Sequence, residues 1–242
     1  MTEFKDIYAK EAHAILIREM RSGAYANCPH LPRESELAKT MGISRTQLRD
    51  ILAVLECEGF ITRRHGVGTI INRHVLQVKT RIDMEQEFLE MIYSGGFKPA
   101  AIVLKLERGV ATARECEALQ LPEGTEVIRC EKLCTADKNP ALLCRDIFEA
   151  GLFHGKLEEQ DFRAPVFQVL QEKCAVNCYM DVSRLLPVVA DEAVAQVLKV
   201  APGTPLMYID EVDYDIEGKP VLYAQQYFVN DYFQYNILRK RL

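Results

Sequence analysis

Leu31 to Ile71 reads LPRESELAKTMGISRTQLRDILAVLECEGFITRRHGVGTII, and the order of its caps, breaks and apolar positions decides the fold of this part of the chain. Glu36 to Met41 is a helical pattern, with Leu37, Ala38 and Met41 spaced to cover one face. Gly42 breaks it, since a residue without a Cβ enters a left-handed turn at no steric cost. Ser44 starts the next helix as its N-cap, and Gln47 three residues on completes a capping box. Leu48, Ile51, Leu52 and Leu55 follow at i, i+3, i+4 and i+7 as an inward stripe. Arg45, Thr46, Gln47 and Arg49 are left at the exposed start of that helix. A helix-turn-helix needs this distribution, because the first residues of its second helix reach base edges in the major groove.

The segment behind the second helix extends the pattern. Gly59 ends the helix, Phe60 to Arg64 reads as a strand, His65 to Gly68 as a turn, and Thr69 to Ile71 as the return strand. That is a β-wing tipped with glycines and with the cations Arg63, Arg64 and His65. The plainer alternative is a three-helix module whose arginines are a solvated face. It requires cap, turn glycine, stripe and basic wing to coincide by chance.

These residues resemble the winged helix-turn-helix of GntR-type bacterial transcription regulators. The family pattern runs LP-x-E-x-x-LA, then G-(V/I)-SR-x-x-(V/L)-R, then L-x-x-x-G and a G-x-G-T wing. The chain follows it at nearly every position of this stretch. The resemblance implies that Ser44, Arg45, Thr46, Gln47 and Arg49 contact phosphate or bases, with His65 and Gly66 at the minor groove; Arg64 joins them as a wing cation. It also marks a departure. Many members carry arginine directly after the glutamate of LP-x-E, where this chain has Ser35, with Arg33 two residues before it. Arg33 and Ser35 therefore join the candidate DNA contacts as alternatives.

At 242 residues the chain has room for two domains, each with its own core. No apolar run approaches the roughly twenty residues of a membrane span, and the start MTEFKDIYAKEAHAI lacks the pattern of a secretory signal. The eight cysteines form no CxxC pair and no zinc-type spacing with histidine. They predict core packing in a reducing cytoplasm, with no metal and no cofactor. Net charge is −5, yet residues 1–75 hold a slight excess of Lys and Arg while the remainder is acidic. A mildly basic head on an acidic body suits local phosphate contact, and duplication in a homodimer would double it.

Asp6 to Arg21 is a helical pattern with Ile7, Ala14, Ile15, Ile17 and Met20 as its expected buried side, stopped by Gly23. The expected organisation is a winged helix-turn-helix over 1–73, a polar extended linker over 74–81, and an effector-binding and dimerisation domain over 82–242. A further helix is expected over Asp83 to Tyr93. The second half contains a near-repeat. Glu115 to Phe148 and Val194 to Phe228 each begin with a short helix ending in leucine and a Gly-Thr step (Gly124-Thr125, Gly203-Thr204). A long strand, a polar turn and a second strand follow in both. Ile102 to Glu107 and Val182 to Val189 read as further strands. The fold class is α+β, with two helix-plus-hairpin units forming one antiparallel sheet with helices on a face.

This half resembles the UTRA effector-sensing domain of the HutC subfamily of GntR regulators. The resemblance rests on the Leu-x-Leu-x-x-Gly step and the run Tyr214 to Tyr223, with Asp231-Tyr232-Phe233 behind it. It implies a fold similar to chorismate lyase and a small metabolite bound between the hairpin units. In members that sense phosphorylated sugars, an R-x-R pair and a glutamate hold the ligand. Aligning the hairpin turns puts Lys132 and Cys134 at the arginine positions and Cys144 at the glutamate position. Tyr227 lies one residue before the aromatic used on the last strand. The arginine clamp has become one lysine and a thiol, which weakens the sugar-phosphate reading. Arg145 and Asp146 either face a polar ligand or alternate outward, and strand alternation favours the outward reading. Tyr223 joins the effector candidates, although strand tyrosines are more often structural. No catalytic constellation is present: no nucleophile stands on a strand-turn-helix, and His154 is isolated. The expected protein is thus a repressor-type regulator, a homodimer on a palindromic operator, tuned by a small polar metabolite of anionic character. The alternatives are a DNA-binding dimer without effector, and a lyase-like enzyme domain fused to a DNA-binding head.

Overall fold

The computed structural model describes residues 2–78, 80–84, 87–155 and 157–240. The chain forms two compact units, Met1–Glu85 with Tyr235–Leu242, and Gln86–Gln234. In the first unit, α1 (Thr2–Ser22) packs against α2 (Glu34–Met41) and α3 (Arg45–Cys57), followed by the hairpin β1 (Ile61–Arg64) and β2 (Gly68–Ile71). The stripe on α1 is Ala12, Leu16 and Met20. Ile15 is exposed at 42% and Ala14 also faces solvent, so the expected stripe was rotated; the side chain of Ile7 lies outside the described residues. Leu37, Leu48, Leu52, Leu55, Phe60 and Ile71 complete this core.

Gly42 takes φ 68°, and its N–H caps the last turn of α2. The bend delivers Ser44 to the start of α3, where its hydroxyl accepts the Gln47 N–H at 3.2 Å and the Gln47 side chain accepts the Ser44 N–H at 3.0 Å. Both halves of the capping box are therefore formed.

The start of the expected linker is helical rather than extended. Arg73–Leu76 forms a short helix, α4, whose Val75 and Leu76 are buried in the first core. The chain end also departs from the expected 82–242 domain, because Leu238 packs on that core and Asn236 bridges to Arg81. Few apolar residues are available to so small a unit, and those of α4 and the tail enlarge its core.

In the second unit the expected helix over Asp83 to Tyr93 shrinks to α5 (Phe88–Ser94); Glu85 and Gln86 lie outside the described residues. The sheet comprises β3 (Pro99–Val110), β4 (Glu126–Ala136), β5 (Asn139–Glu149), β6 (Met180–Val189), β7 (Pro205–Tyr214) and β8 (Pro220–Phe228). Their spatial order is β3-β4-β5-β8-β7-β6, antiparallel throughout. The repeat is real in detail. Helices α6 (Ala113–Leu119) and α8 (Glu192–Leu198) are capped by Thr112 and Asp191 and end on left-handed Gln120 and Lys199. Each then turns through a glycine, Gly124 at φ 85° and Gly203 at φ 84°. Both helices pack on one sheet face, α6 through Leu119 on Val127 and Ile147, α8 through Val194 and Leu198 on Leu143 and Leu206. The opposite face is covered too: α7 (Val166–Cys174) lies on Ile128, Cys130, Phe148 and Leu222. A sheet with helices on both faces replaces the one-sided arrangement expected.

Candidate functional site

Arg45 and Thr46 stand exposed on the first turn of α3, placed there by the Ser44 cap and the buried stripe behind them. Gln47 is only partly available, because its side-chain oxygen is committed to the Ser44 N–H. Arg49 Nε donates to Glu34 Oε2 at 2.9 Å, tying α3 to α2. That bond raises the Arg49 pKa and fixes the direction of its fork. Glu34 is thus an orienting residue that the sequence pattern alone did not single out. Arg33 and Ser35 are both exposed at the start of α2, Arg33 as the flanking residue and Ser35 inside the first turn.

On the wing, Arg64, His65 and Gly66 are exposed, and Gly66 takes φ 78°. Arg63 is engaged elsewhere: it holds Glu56 of α3 at 2.7 Å. Burial pushes Glu56 up, but the hydrogen bonds from Arg63 outweigh it and leave the carboxyl below its usual range. The far end of α3 is capped from distant sequence. Arg81 donates to the Glu58 carbonyl at 2.5 Å, and the Lys240 ammonium to the Glu56 and Cys57 carbonyls. Cations at a helix C-terminus oppose its macrodipole. No local signal reveals partners separated by most of the chain.

The effector candidates separate onto two sheet faces. Lys132, Cys134 and Cys144 line one cavity, closed by Phe88, Leu89 and Val166. Asp146 lines it as well, which corrects the outward reading of that residue. The pairing Cys130↔Asp146 beside Lys132↔Cys144 puts all four side chains on one face. Lys132 Nζ lies 3.7 Å from Asp146 Oδ2, with the two side chains 8% and 4% exposed. Lys132 is therefore paired, not the lone cation expected. Burial lowers its pKa, but Asp146 outweighs that and holds the ammonium charged. For Asp146 burial is the larger influence and lifts its pKa despite Lys132. Burial also pushes the Cys130 thiol up to about 12, and Cys144, a free thiol that donates a hydrogen bond to Cys134, keeps its proton.

Arg145, Tyr223 and Tyr227 lie on the other face and do not meet Lys132. Arg145 pairs with Glu131 at 2.7 Å and sits 5.5 Å over the Tyr227 ring. Tyr223 donates to Asp210 at 2.8 Å, a carboxylate that Arg114 also holds at 3.0 Å. These side chains satisfy one another on the sheet face that α6 and α8 cover, which favours a structural role. Among the described residues no group of three or more His, Cys, Asp or Glu is arranged to hold a metal ion, and no helix is long and apolar enough to cross a membrane.

A capped recognition helix with a basic wing, followed by a repeat-built sheet with a cavity beside the buried Lys132–Asp146 pair, defines a DNA-binding regulator with a sensing domain. Comparison with known proteins specifies it. Residues 8–71 match the model of bacterial regulatory proteins of the gntR family, and residues 94–234 match the UTRA domain. The chain belongs to the GntR family, in the HutC branch that joins this head to a UTRA domain. It is a transcriptional regulator and not an enzyme; the head binds DNA and the UTRA domain binds an effector. It is 25% identical over 206 residues to the probable fructoselysine utilization operon transcriptional repressor of Escherichia coli K12, covering 85% of this chain and 84% of that one. It is 22% identical to the transcriptional repressor NagR of Bacillus subtilis over 85% of this chain and 83% of that one. In fold it is similar to the possible transcriptional regulator YydK of Bacillus subtilis, with a TM-score of 0.80 over 96% of this chain and 99% of that one at 14% identity.

Proposed function

We propose that the protein is a repressor that binds a palindromic operator as a homodimer and is released by a small polar metabolite in the Lys132 cavity. Arg45 and Thr46 contact bases or phosphate, Arg49 reads through its Glu34-fixed fork, and Arg64, His65 and Gly66 meet the neighbouring groove. The observation that carries the reading is the Ser44-capped helix presenting Arg45 and Thr46 beside the exposed wing. Similar proteins named as repressors support the sign of regulation. Homodimerisation rests on the small, mildly basic head, which in one copy makes too few phosphate contacts for useful affinity. Negative charge on the effector was expected from a lone Lys132; Asp146 cancels that charge, so polarity is what the proposal keeps.

The test compares affinity for an operator enriched from random DNA with affinity for its scrambled sequence at fixed salt, alongside the mass of the complex. Specific binding by two copies is expected. Equal affinity for both DNAs removes the recognition helix, and one copy per operator removes the dimer. An effector that releases DNA must bind more weakly when operator is present, by the same factor, which paired titrations measure.

A further inference from the structure

The two hairpin units of the UTRA domain place different chemistry at equivalent points of one sheet face. The shared Gly-Thr step aligns Lys132 on β4 with Glu211 on β7, and the second strands align Asp146 on β5 with Gln226 on β8. All four belong to two adjacent rows across the sheet. One row runs Lys132, Cys144, Gln226, Ile209; the next runs Cys130, Asp146, Ala224, Glu211, Ser183. Neighbouring strands lie roughly 4.8 Å apart, so Lys132 and Gln226 stand about 10 Å apart at the backbone.

The first unit contributes one cation whose charge Asp146 matches. The second contributes acceptors. Gln226 is 2% exposed; its amide nitrogen donates to Glu211 Oε1 at 3.2 Å, and its amide oxygen is buried with no hydrogen-bond partner among the described residues. With Glu211 ionised, turning the amide over would set that oxygen against its carboxylate, so the ionised form favours this orientation. Ser183 Oγ lies 2.5 Å from Glu211 Oε2 and 2.9 Å from Asp181 Oδ2. One hydroxyl proton cannot serve both carboxylates, so this corner lacks donors. Burial, with Asp181 adding to it, lifts Glu211 to about 7. A buried acceptor without a donor costs on the order of 1–3 kcal/mol, and a ligand that supplies the donor recovers it.

We propose that this face binds a zwitterionic metabolite, its carboxylate toward Lys132 and its protonated amine toward Glu211 and the free oxygen of Gln226. The inference rests on the effector reading of the Lys132 cavity, extended along the same sheet face to Glu211 and Gln226, which lie beyond its lining. It specifies the ligand class: an amino acid or an amine-bearing conjugate of one. A sugar phosphate is disfavoured, since it would add two uncompensated negative charges to a face whose buried cation is already matched by Asp146, whereas a zwitterion adds no net charge.

The experiment is a thermal shift measurement on the full chain at pH 7. One set holds the proteinogenic amino acids and 6-aminohexanoate; the other holds hexanoate, glucose 6-phosphate and glucosamine 6-phosphate. At least one compound of the first set is expected to raise the melting temperature by about 3 °C or more at millimolar concentration, and none of the second. Glu211→Gln, which keeps size and hydrogen bonding, is expected to weaken that compound at least tenfold in titration. The double variant Lys132→Gln with Asp146→Asn gives an independent check on the carboxylate end. A shift by hexanoate or a sugar phosphate alone overturns the zwitterion and leaves the effector reading standing. No shift by any compound overturns both. A response that survives Glu211→Gln undiminished overturns the amine end.

Discussion

The recognition helix and the UTRA cavity keep their chemistry in opposite places. In the head, Arg45 and Thr46 stand outside one continuous segment, and what positions them, Ser44, Gln47 and the Leu48 to Leu55 stripe, lies within a few residues. In the sheet unit, Lys132 depends on Asp146 and Glu211 on Gln226, partners contributed by other strands and sealed from water. Exposed chemistry on a local scaffold is changed at little cost in stability. Buried chemistry on a non-local scaffold is changed at a cost to the fold first.

The largest effect that follows is on Lys132. Lys132→Ala leaves Asp146 buried without its cation, and is expected to destabilise the second unit by about 3–5 kcal/mol. Protonation of Asp146 limits the loss, because its pKa is already raised by burial. Replacing both partners, Lys132→Met with Asp146→Leu, is expected to stay within about 1 kcal/mol of the parent. Urea denaturation followed by circular dichroism separates the two. A cheap Lys132→Ala would mean that the ion pair is not sealed, and the contrast between the units would weaken. Lys132→Ala is for this reason a poor test of effector binding alone.

Next in size is a pH dependence confined to the sheet unit. Glu211 is raised from 4.5 to about 7. A carboxyl whose folded pKa lies above its unfolded one contributes stability that is full below pH 4.5 and is lost as pH rises through 7. The full contribution is on the order of 3 kcal/mol. Glu211→Gln is expected to flatten the stability profile between these values; an unchanged slope would locate the titrating group elsewhere.

A smaller effect belongs to the head. Arg45→Ala is expected to cost about 1–3 kcal/mol in operator affinity and to relax sequence preference if the arginine reads a base. If it meets phosphate, all sequences weaken alike and the salt dependence falls by about one ion. Unchanged affinity with an intact fold would remove Arg45 from the interface.

The same contrast governs what the sequence revealed. Within the head the helix-turn-helix and wing were legible, because Ser44, Gln47, Gly42 and the α3 stripe act through contacts three or four positions apart. The buried side of α1 and the helix α4 were not. The repeat was legible because Gly124 and Gly203 mark the same turn in each unit. Which face a strand residue takes depends on pairing with a distant strand. Strand alternation alone therefore turns Asp146 outward, and aligned hairpins group Arg145, Tyr223 and Tyr227 with a cavity they do not line. Leu238 and Lys240 joining the head carry no local signature at all. Arg33 and Ser35 are both exposed, so geometry leaves either available to the phosphate contact.

The smallest expected effect sets the two units side by side with one motif. Ser44 caps α3 and Thr112 caps α6, each closing a capping box with the residue three positions on, Gln47 and Glu115. Ser44→Ala and Thr112→Ala remove the same kind of bond, at 3.2 Å and 3.3 Å. Each is expected to cost about 1 kcal/mol of stability in its own unit. Their consequences for DNA differ. Loss of the Ser44 cap frays the turn that carries Arg45 and Thr46, so ordering it again on the operator consumes part of the binding free energy. Operator affinity is expected to fall by about threefold to tenfold, the equivalent of about 1 kcal/mol. Thr112→Ala frays a turn in the sensing domain and is expected to leave operator affinity without effector within error. Equal losses of affinity for the two variants would show that DNA binding responds to stability anywhere in the chain, and the local reading of the recognition helix would fail.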